Sequence, residues 1–319
     1  MQERKQNGLL SVVLPAYCEE ASVPRAAQVI GGLLAQADIP HEIVFVDDGS
    51  RDGTWDEIQA AHRENAAVRG LRFSRNFGKE AAIFAGLRYA RGACCAVMDC
   101  DLQHPPEKLP EMVRLWEQGY AVVNGVKADR GTESAAYGLA ARCFNALMSR
   151  AARIDMRRSS DFKLLDRQVV DALLDLPERK TFFRALVGWV GYKSIDVPFE
   201  VRDRSVGQSH FSTLSLIRYA LSNLTAYSCA PMQIITALGG LFLVLAVVLG
   251  IQTLVRWASG TAADGFTTVI LLLLLIGSIL MIGLGIIGYY IAQIFLEIKA
   301  RPRYLVAETC GAGGERHGS

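Results

Sequence analysis

The stretch Glu42-Ile43-Val44-Phe45-Val46-Asp47-Asp48-Gly49-Ser50 sets the fold. Its apolar run, rich in β-branched residues, reads as a strand buried on both faces, as in a parallel sheet. The run stops in two carboxylates, a glycine and a serine, and passes into a helix starting near Asp52. The same order of events recurs on either side. Upstream, Leu10 to Leu14 is an apolar run halted by Pro15 and followed by a helix from about Val23 to Ala35. Downstream, Gly70 to Ser74 leads through Asn76, Phe77, Gly78 and Lys79 into a helix ending near Arg91, and Cys94 to Met98 ends in Asp99, Cys100 and Asp101. Strands alternating with helices specify an α/β fold with an open, mostly parallel sheet, in which ligands bind beyond the carboxyl ends of the strands. Every acidic cluster named here falls at such an end.

Two later apolar runs, Met232 to Val255 and Phe266 to Phe295, each reach the roughly 20 residues a helix needs to span a bilayer. The expected organisation is a catalytic domain over 1–211, an amphipathic helix over 212–230, a two-helix membrane hairpin over 231–298 and a tail over 299–319. Leu214, Ile217, Leu221 and Leu224 recur at helical spacing, which suits a helix lying in the membrane interface, or one packed on the head. The link Arg256 to Gly265 is short, whereas Lys299, Arg301 and Arg303 closely follow the second run. Cations on that side place the tail, and with two spans the head, in the cytoplasm. Met1 to Gly8 is polar and lacks an apolar targeting core, so the head is not expected to be secreted. The net charge of +2 gives no sign of nucleic-acid binding. The seven cysteines are odd in number and form no Cys-x-x-Cys pair, which fits reduced thiols with no disulfide and no zinc site. The tail beyond Cys310 is Gly-rich and reads as disordered.

Asp99 and Asp101 are the sharpest chemical signal. Residues two apart in an extended segment project to one side, so both carboxylates can converge on a hard cation, Mg²⁺ or Mn²⁺, that also binds substrate phosphates. A solvated acidic loop is the bland alternative. Position at the end of a buried strand, followed by Leu102-Gln103-His104-Pro105-Pro106, favours the cation.

Pro15, Ala16, Tyr17 and Glu19, then Asp47-Asp48-Gly49-Ser50, then Asn76, Gly78 and Lys79, then Asp99-Cys100-Asp101-Leu102-Gln103 with Pro105, Pro106 and Glu107, together resemble the family 2 glycosyltransferases of GT-A fold. The resemblance runs from about Leu10 to Pro231. Within that family the chain is most similar to the polyprenyl-phosphate glycosyltransferases, the group of dolichol-phosphate mannose synthases and bactoprenol glucosyltransferases, and its two apolar runs match the bacterial membrane-anchored branch. The resemblance implies inverting, metal-dependent transfer of one sugar from a nucleotide sugar to a polyprenyl phosphate at the cytoplasmic face of the bacterial inner membrane. UDP-glucose and undecaprenyl phosphate are the leading pair. A processive polysaccharide synthase and a catalytically silent scaffold are the alternatives. Gln252 to Trp257 places three residues, not two, between Gln and Arg, which departs from the signature of processive synthases.

Residue by residue, the resemblance implies that Pro15, Ala16, Tyr17 and Glu19 line the nucleotide pocket and that Asp47 or Asp48 contacts the base or ribose. It puts Lys79 and Lys127 on the nucleotide sugar and Gln103 near the donor sugar. Asp99 and Asp101 would hold Mg²⁺ or Mn²⁺, and Asp101 and Asp161 would form the catalytic pair. An acid at the place of Asp161 sits near the acceptor, as a base or as an orienting group. A lipid phosphate monoester has a second pKa near 6 and is already largely anionic at pH 7, so orientation is the stronger reading. Asp161 paired with a neighbouring Arg, Tyr17 as ordinary packing, Glu19 as a first-turn helix acid and Asp48 as a turn residue are the structural alternatives.

For the acceptor phosphate the candidates are Arg142, Arg202, Arg204, Ser209 and His210. Arginine suits bidentate phosphate contact, and Gly207 allows close backbone approach. Arg150, Arg153, Arg157 and Arg158 read better as a solvated helix face. Four positions depart from the family pattern: Cys18 stands where Asn is common, His104 where Asp is frequent, Lys127 where Arg often follows the fifth strand, and His210 where Lys is usual. The partners implied are the nucleotide sugar, the polyprenyl phosphate, the membrane and a separate lipid flippase. No nucleic acid is expected, and a homo-oligomer is compatible with this reading.

Overall fold

The computed structural model describes residues 8–127, 159–178, 182–200 and 266–311, with scattered positions between 239 and 259. The chain divides into two compact units, Met1–His210 with Arg301–Ser319, and Phe211–Ala300. The first unit begins with β1 (Leu10–Ala16), α1 (Ser22–Gln36), β2 (His41–Asp47), α2 (Thr54–Glu64), β3 (Val68–Phe73), α3 (Lys79–Tyr89) and β4 (Cys94–Val97). A 3₁₀ turn at Pro106–Lys108 then leads into α4 (Leu109–Glu117) and β5 (Val122–Lys127). After β6 (Ser159–Asp166) come α5 (Arg167–Leu174), α6 (Phe183–Trp189) and β7 (Ser194–Phe199). The second unit contains α7 (Phe266–Ile298), after which β8 (Val306–Cys310) returns to the first.

One eight-stranded sheet runs in the order β7-β5-β6-β4-β1-β2-β3-β8. The strands β4, β1, β2 and β3 are mutually parallel, and the apolar runs of β4, β1 and β2 suit a sheet covered by helices on both faces. Ile43 and Phe45 join one core with Val23, Ile30 and Leu34 of α1, Trp55 and Ile58 of α2, and Met112 and Trp116 of α4. Val44 and Val46 face the other way, onto Ala81, Ala82 and Ala85 of α3. The alternation within one strand therefore sorts the helices into two layers. Two strands break the parallel order. β6 is antiparallel to both β4 and β5, and β8 is antiparallel to β3.

β8 falls within the expected tail and was not anticipated as a strand. Glu308 opposite Arg72 pairs with it at 3.0 Å, and the Trp55 indole N–H donates to the other Glu308 oxygen at 3.1 Å. Tyr304 stacks on Phe73 with ring centroids 5.0 Å apart. Arg303, counted above among the cations flanking a membrane run, lies over the Phe84 ring and donates to the carbonyls of Leu176 and Glu178.

In the second unit, α7 is 33 residues long, and its segment Leu275–Phe295 is long and apolar enough to cross a membrane. It is the one such helix among the described residues. Leu280, Met281, Ile282 and Leu284 are all more than half exposed, the surface of a helix that is apolar all round. The amphipathic helix expected over 212–230, and most of the first apolar run, lie outside the described residues.

Candidate functional site

β1 is flanked by β2 on one side and β4 on the other, so the connection after β1 and the connection after β4 lead in opposite directions along the sheet. The carboxyl ends of strands at such a switch point splay apart and leave a crevice. The cleft found there has a volume of about 290 Å³. Pro15, Ala16, Tyr17 and Glu19 line it from the end of β1, Asp48 from β2, Asn76, Gly78, Lys79 and Ala82 from the loop and helix after β3, and Asp99, Cys100 and Asp101 from β4.

The β2 end separates the roles of its two aspartates. Asp48 faces the cleft, and its two carboxylate oxygens accept the backbone N–H groups of Phe77 and Gly78 at 2.6 and 2.9 Å. Burial raises its pKa, against the lowering effect of those two amides. Asp47 is fully buried and lies outside the cleft lining. It accepts the Ser50 amide at 2.8 Å and sits 3.4 Å from the Arg72 guanidinium. Of the two expected nucleotide contacts, then, only Asp48 reaches the cleft, because strand alternation turns its neighbour inward. Gly49 between Asp48 and Ser50 has φ +68°, and a Cβ there would stand 2.4 Å from the Arg75 backbone, so no other residue fits this turn.

At the β4 end, Asp99 and Asp101 both face the cleft. The Asp101 carboxylate accepts the Gln103 amide at 3.0 Å and shapes the turn, in which Leu102 takes φ +57°. Gln103 lies outside the cleft lining, as does Lys127, which is exposed at the end of β5. The Asp99 amide donates to His104 Nδ1 at 3.1 Å, and the His104 ring stacks on Phe162 with centroids 5.3 Å apart. Burial lowers the His104 pKa despite the nearby Asp99. An accepting Nδ1 and a buried ring both correspond to neutral imidazole.

Among the described residues no three or more His, Cys, Asp or Glu side chains gather to hold a metal ion. Two hard oxygen donors with the remaining positions left to substrate phosphates is the donor set that suits Mg²⁺ or Mn²⁺. Cys100 does not alter that set, since burial pushes its thiol well above the usual range. The residues present therefore fit a divalent cation carried with a diphosphate.

Asp161 comes from β6. Val97 pairs with Lys163, and two residues further along each strand stand Asp99 and Asp161. The Lys79 ammonium bridges them, 2.6 Å from Asp99 Oδ1 and 2.8 Å from Asp161 Oδ2. Arg184 of α6 adds a two-pronged contact to Asp161. Burial alone would raise the Asp161 pKa, but Arg184 and Lys79 together carry it well below the usual carboxylate range. The pairing with a neighbouring Arg is thus present, and it belongs to the same cluster as the cleft.

Glu80 and Arg184 were missed in the sequence because neither belongs to a local motif. Glu80 accepts the Phe183 amide at 2.8 Å across 103 residues of chain. Burial is the main cause that raises its pKa to about 7. A carboxyl raised in the folded state binds more protons there than when unfolded, so stability falls as pH rises from about 4.5 through 7. Glu80→Gln is therefore expected to raise the melting temperature at pH 8 and leave it nearly unchanged at pH 4.5. A thermal-melt series across that range checks this, and parallel curves for both proteins would refute it. The acceptor candidates Arg142, Arg202, Arg204, Ser209 and His210 lie outside the described residues, as do Arg150, Arg153, Arg157 and Arg158.

Comparison with known proteins places this arrangement. Residues 11–174 match the family model described as glycosyl transferase family 2. The chain is 34% identical to a putative glycosyltransferase, CsbB, of Bacillus subtilis, over 95% of this chain and 92% of that protein. It is 33% identical to an uncharacterized glycosyltransferase of Synechocystis sp., over 95% and 96% respectively. It is 32% identical to a prophage bactoprenol glucosyl transferase homolog of Escherichia coli, over 93% and 98%. Among solved structures, glucosyl-3-phosphoglycerate synthase from Mycobacterium tuberculosis, determined with Mn²⁺ and uridine-diphosphate-glucose, shares the fold with a TM-score of 0.50 at 19% identity, covering 69% of this chain and 79% of that one. With the model spanning the strands that build the cleft, and full-length relatives at about a third identity, this chain belongs to glycosyl transferase family 2 and is a glycosyltransferase.

Proposed function

We propose that the chain transfers one sugar from a nucleotide sugar, with UDP-glucose as the leading donor, to a polyprenyl phosphate, with undecaprenyl phosphate as the leading acceptor, at the cytoplasmic face of a bacterial inner membrane. The observation that carries the reading is the pair Asp99 and Asp101 facing a cleft at the β1/β4 switch point, in a chain that also holds a long apolar helix. The relatives named bactoprenol glucosyl transferase, from Escherichia coli and a Shigella phage, support the acceptor. Pro15, Ala16, Tyr17, Glu19 and Asp48 would receive the nucleotide. Asp99 and Asp101 would hold Mg²⁺ or Mn²⁺, which when bound offsets charge on the departing diphosphate.

Asp161 orients in this scheme. Its two cationic partners keep it ionised and occupied, and a phosphate monoester already carries the attacking negative charge at pH 7. Direct attack at the anomeric carbon needs no covalent enzyme intermediate and inverts configuration there. Arg142, Arg202, Arg204, Ser209 and His210 remain the proposed acceptor-phosphate contacts.

Two membrane spans are favoured by chain continuity. The chain leaves the first unit before residue 211 and rejoins its sheet at Val306. Segments on one side of a membrane can be joined only through an even number of crossings. With α7 as one crossing, the partner falls within 211–265, where Met232 to Val255 is the apolar candidate. Export of the lipid-linked sugar is then left to a separate flippase.

The test incubates the purified full chain and undecaprenyl phosphate with a panel of nucleotide sugars, with and without EDTA. One sugar per lipid is expected, lost on chelation and restored by Mn²⁺ or Mg²⁺. Polymeric product, or nucleotide binding without transfer from any donor, would overturn the reading.

A further inference from the structure

Arg184 lies in no sequence motif and outside the cleft lining, yet it grips Asp161 more fully than any other described side chain. Its Nε donates to Oδ1 at 2.6 Å and its Nη2 to Oδ2 at 2.9 Å. The planar guanidinium fork matches a carboxylate in this way and fixes its plane as well as its position. Asp161 itself is buried, with 6% of its side chain exposed. The short helix carrying Arg184 is in turn fixed to α3. The Phe183 amide donates to Glu80, and the Phe183 ring meets Phe84 edge to face, with centroids 6.4 Å apart. Lys79 of α3 and Arg184 of α6 thus meet at the Asp161 carboxylate, while their chain neighbours Glu80 and Phe183 bond the two helices to each other.

An ion pair remote from the cleft would be only a structural feature. Here Lys79 makes the difference, because the ammonium that touches Asp161 also touches Asp99 and lines the cleft. We infer that Arg184 is a positioning residue for sugar transfer: by fixing Asp161 it holds Lys79 between the two aspartates and sets the geometry of the cleft floor. The inference rests on the reading of Asp161 as an orienting group. Without the fork, Asp161 keeps one cation, and Lys79 is drawn toward the carboxylate that has lost its partner.

Kinetics with UDP-glucose and undecaprenyl phosphate test this. Displacement of a reacting group by about 1 Å costs up to about 100-fold, so Arg184→Gln is expected to lower kcat at least about 10-fold while the dissociation constant for UDP stays within about twofold. Arg184→Lys, which keeps the charge and one donor, is expected to recover part of the loss. The decisive measurement is the cycle with Asp161→Asn. If Arg184 acts through Asp161, Arg184→Gln has no further effect on kcat in the Asp161→Asn background. Additive losses, or full kcat in Arg184→Gln beside an impaired Asp161→Asn, overturn the inference and leave the site reading standing. A fully active Asp161→Asn, or a wild-type chain that transfers nothing, overturns both. Melting temperatures accompany each variant, and if Arg184→Gln does not fold, Arg184→Lys carries the same cycle.

Discussion

Asp101→Asn is expected to lower sugar transfer by at least about 100-fold, the range found when one preorganised charge-stabilising group is removed from an active site. The substitution isolates charge from shape. Asparagine keeps a side-chain oxygen in the place where Asp101 accepts the Gln103 amide, so the turn with Leu102 at positive φ is retained. What is lost is one of the two anionic oxygen donors at the end of β4. The measurement is single-turnover transfer from UDP-glucose to undecaprenyl phosphate, with a melting curve to show that the fold is intact. Full activity would remove cation-assisted departure of the diphosphate from the account. Asp99→Asn should be as severe, with the added effect that Lys79 loses one of its two carboxylate partners.

The second large effect concerns stability at the opposite end of the sheet. Glu42 and Arg69 are both buried and lie 2.7 Å apart. The Glu42 carboxylate also accepts the Ser11 hydroxyl and the Arg91 amide, each at 2.6 Å, while Arg69 donates to the Tyr89 and Gly311 carbonyls. Removing one member strands a buried charge, so Glu42→Ala is expected to destabilise the head by about 3–5 kcal/mol. For a domain of this size that lowers the melting temperature by about 6 to 20 °C. Replacing both partners by apolar residues, Glu42→Leu with Arg69→Met, should recover most of the loss, and failure to recover any would contradict the stranded-charge account. Acid tests the same network. Burial alone would raise the Glu42 pKa, but its hydrogen bonds and Arg69 bring it below the usual carboxylate value. Its contribution is thus present above the ordinary range and is lost as pH falls below it, a slope that Glu42→Ala should lack.

The parts of the molecule legible in the sequence share one property. β1, β2 and β4 are buried on both faces, so each carries a continuous apolar run whose identity depends little on what it pairs with, whereas β3, Val68-Arg69-Gly70-Leu71-Arg72-Phe73, was legible mainly from its place between two helices. Their acidic ends were legible for the same reason, since carboxylates at the end of a buried strand have no packing role to play. Asp47 marks the limit of that logic. Two adjacent aspartates at a strand end must point to opposite faces, and nothing local says which one meets the cleft. Asp161 and Lys79 were legible singly, but their juxtaposition with Arg184 was hidden because the three come from a strand and two helices far apart in sequence. β8 was hidden for a third reason. Its residues Val306-Ala307-Glu308-Thr309-Cys310 are largely exposed, and only the free edge of β3 makes them a strand.

That last strand has a consequence for how the protein is made. On the ribosome, β3 emerges early, whereas its edge partner follows only after all of residues 211–300 have been translated. Until then the nascent head presents the unpaired backbone of β3, with Trp55 and Phe73 lacking the Glu308 and Tyr304 contacts that cover them later. An uncovered edge of this kind invites pairing with other chains. All of residues 211–300 are therefore synthesised while the sheet of the first unit is still one strand short.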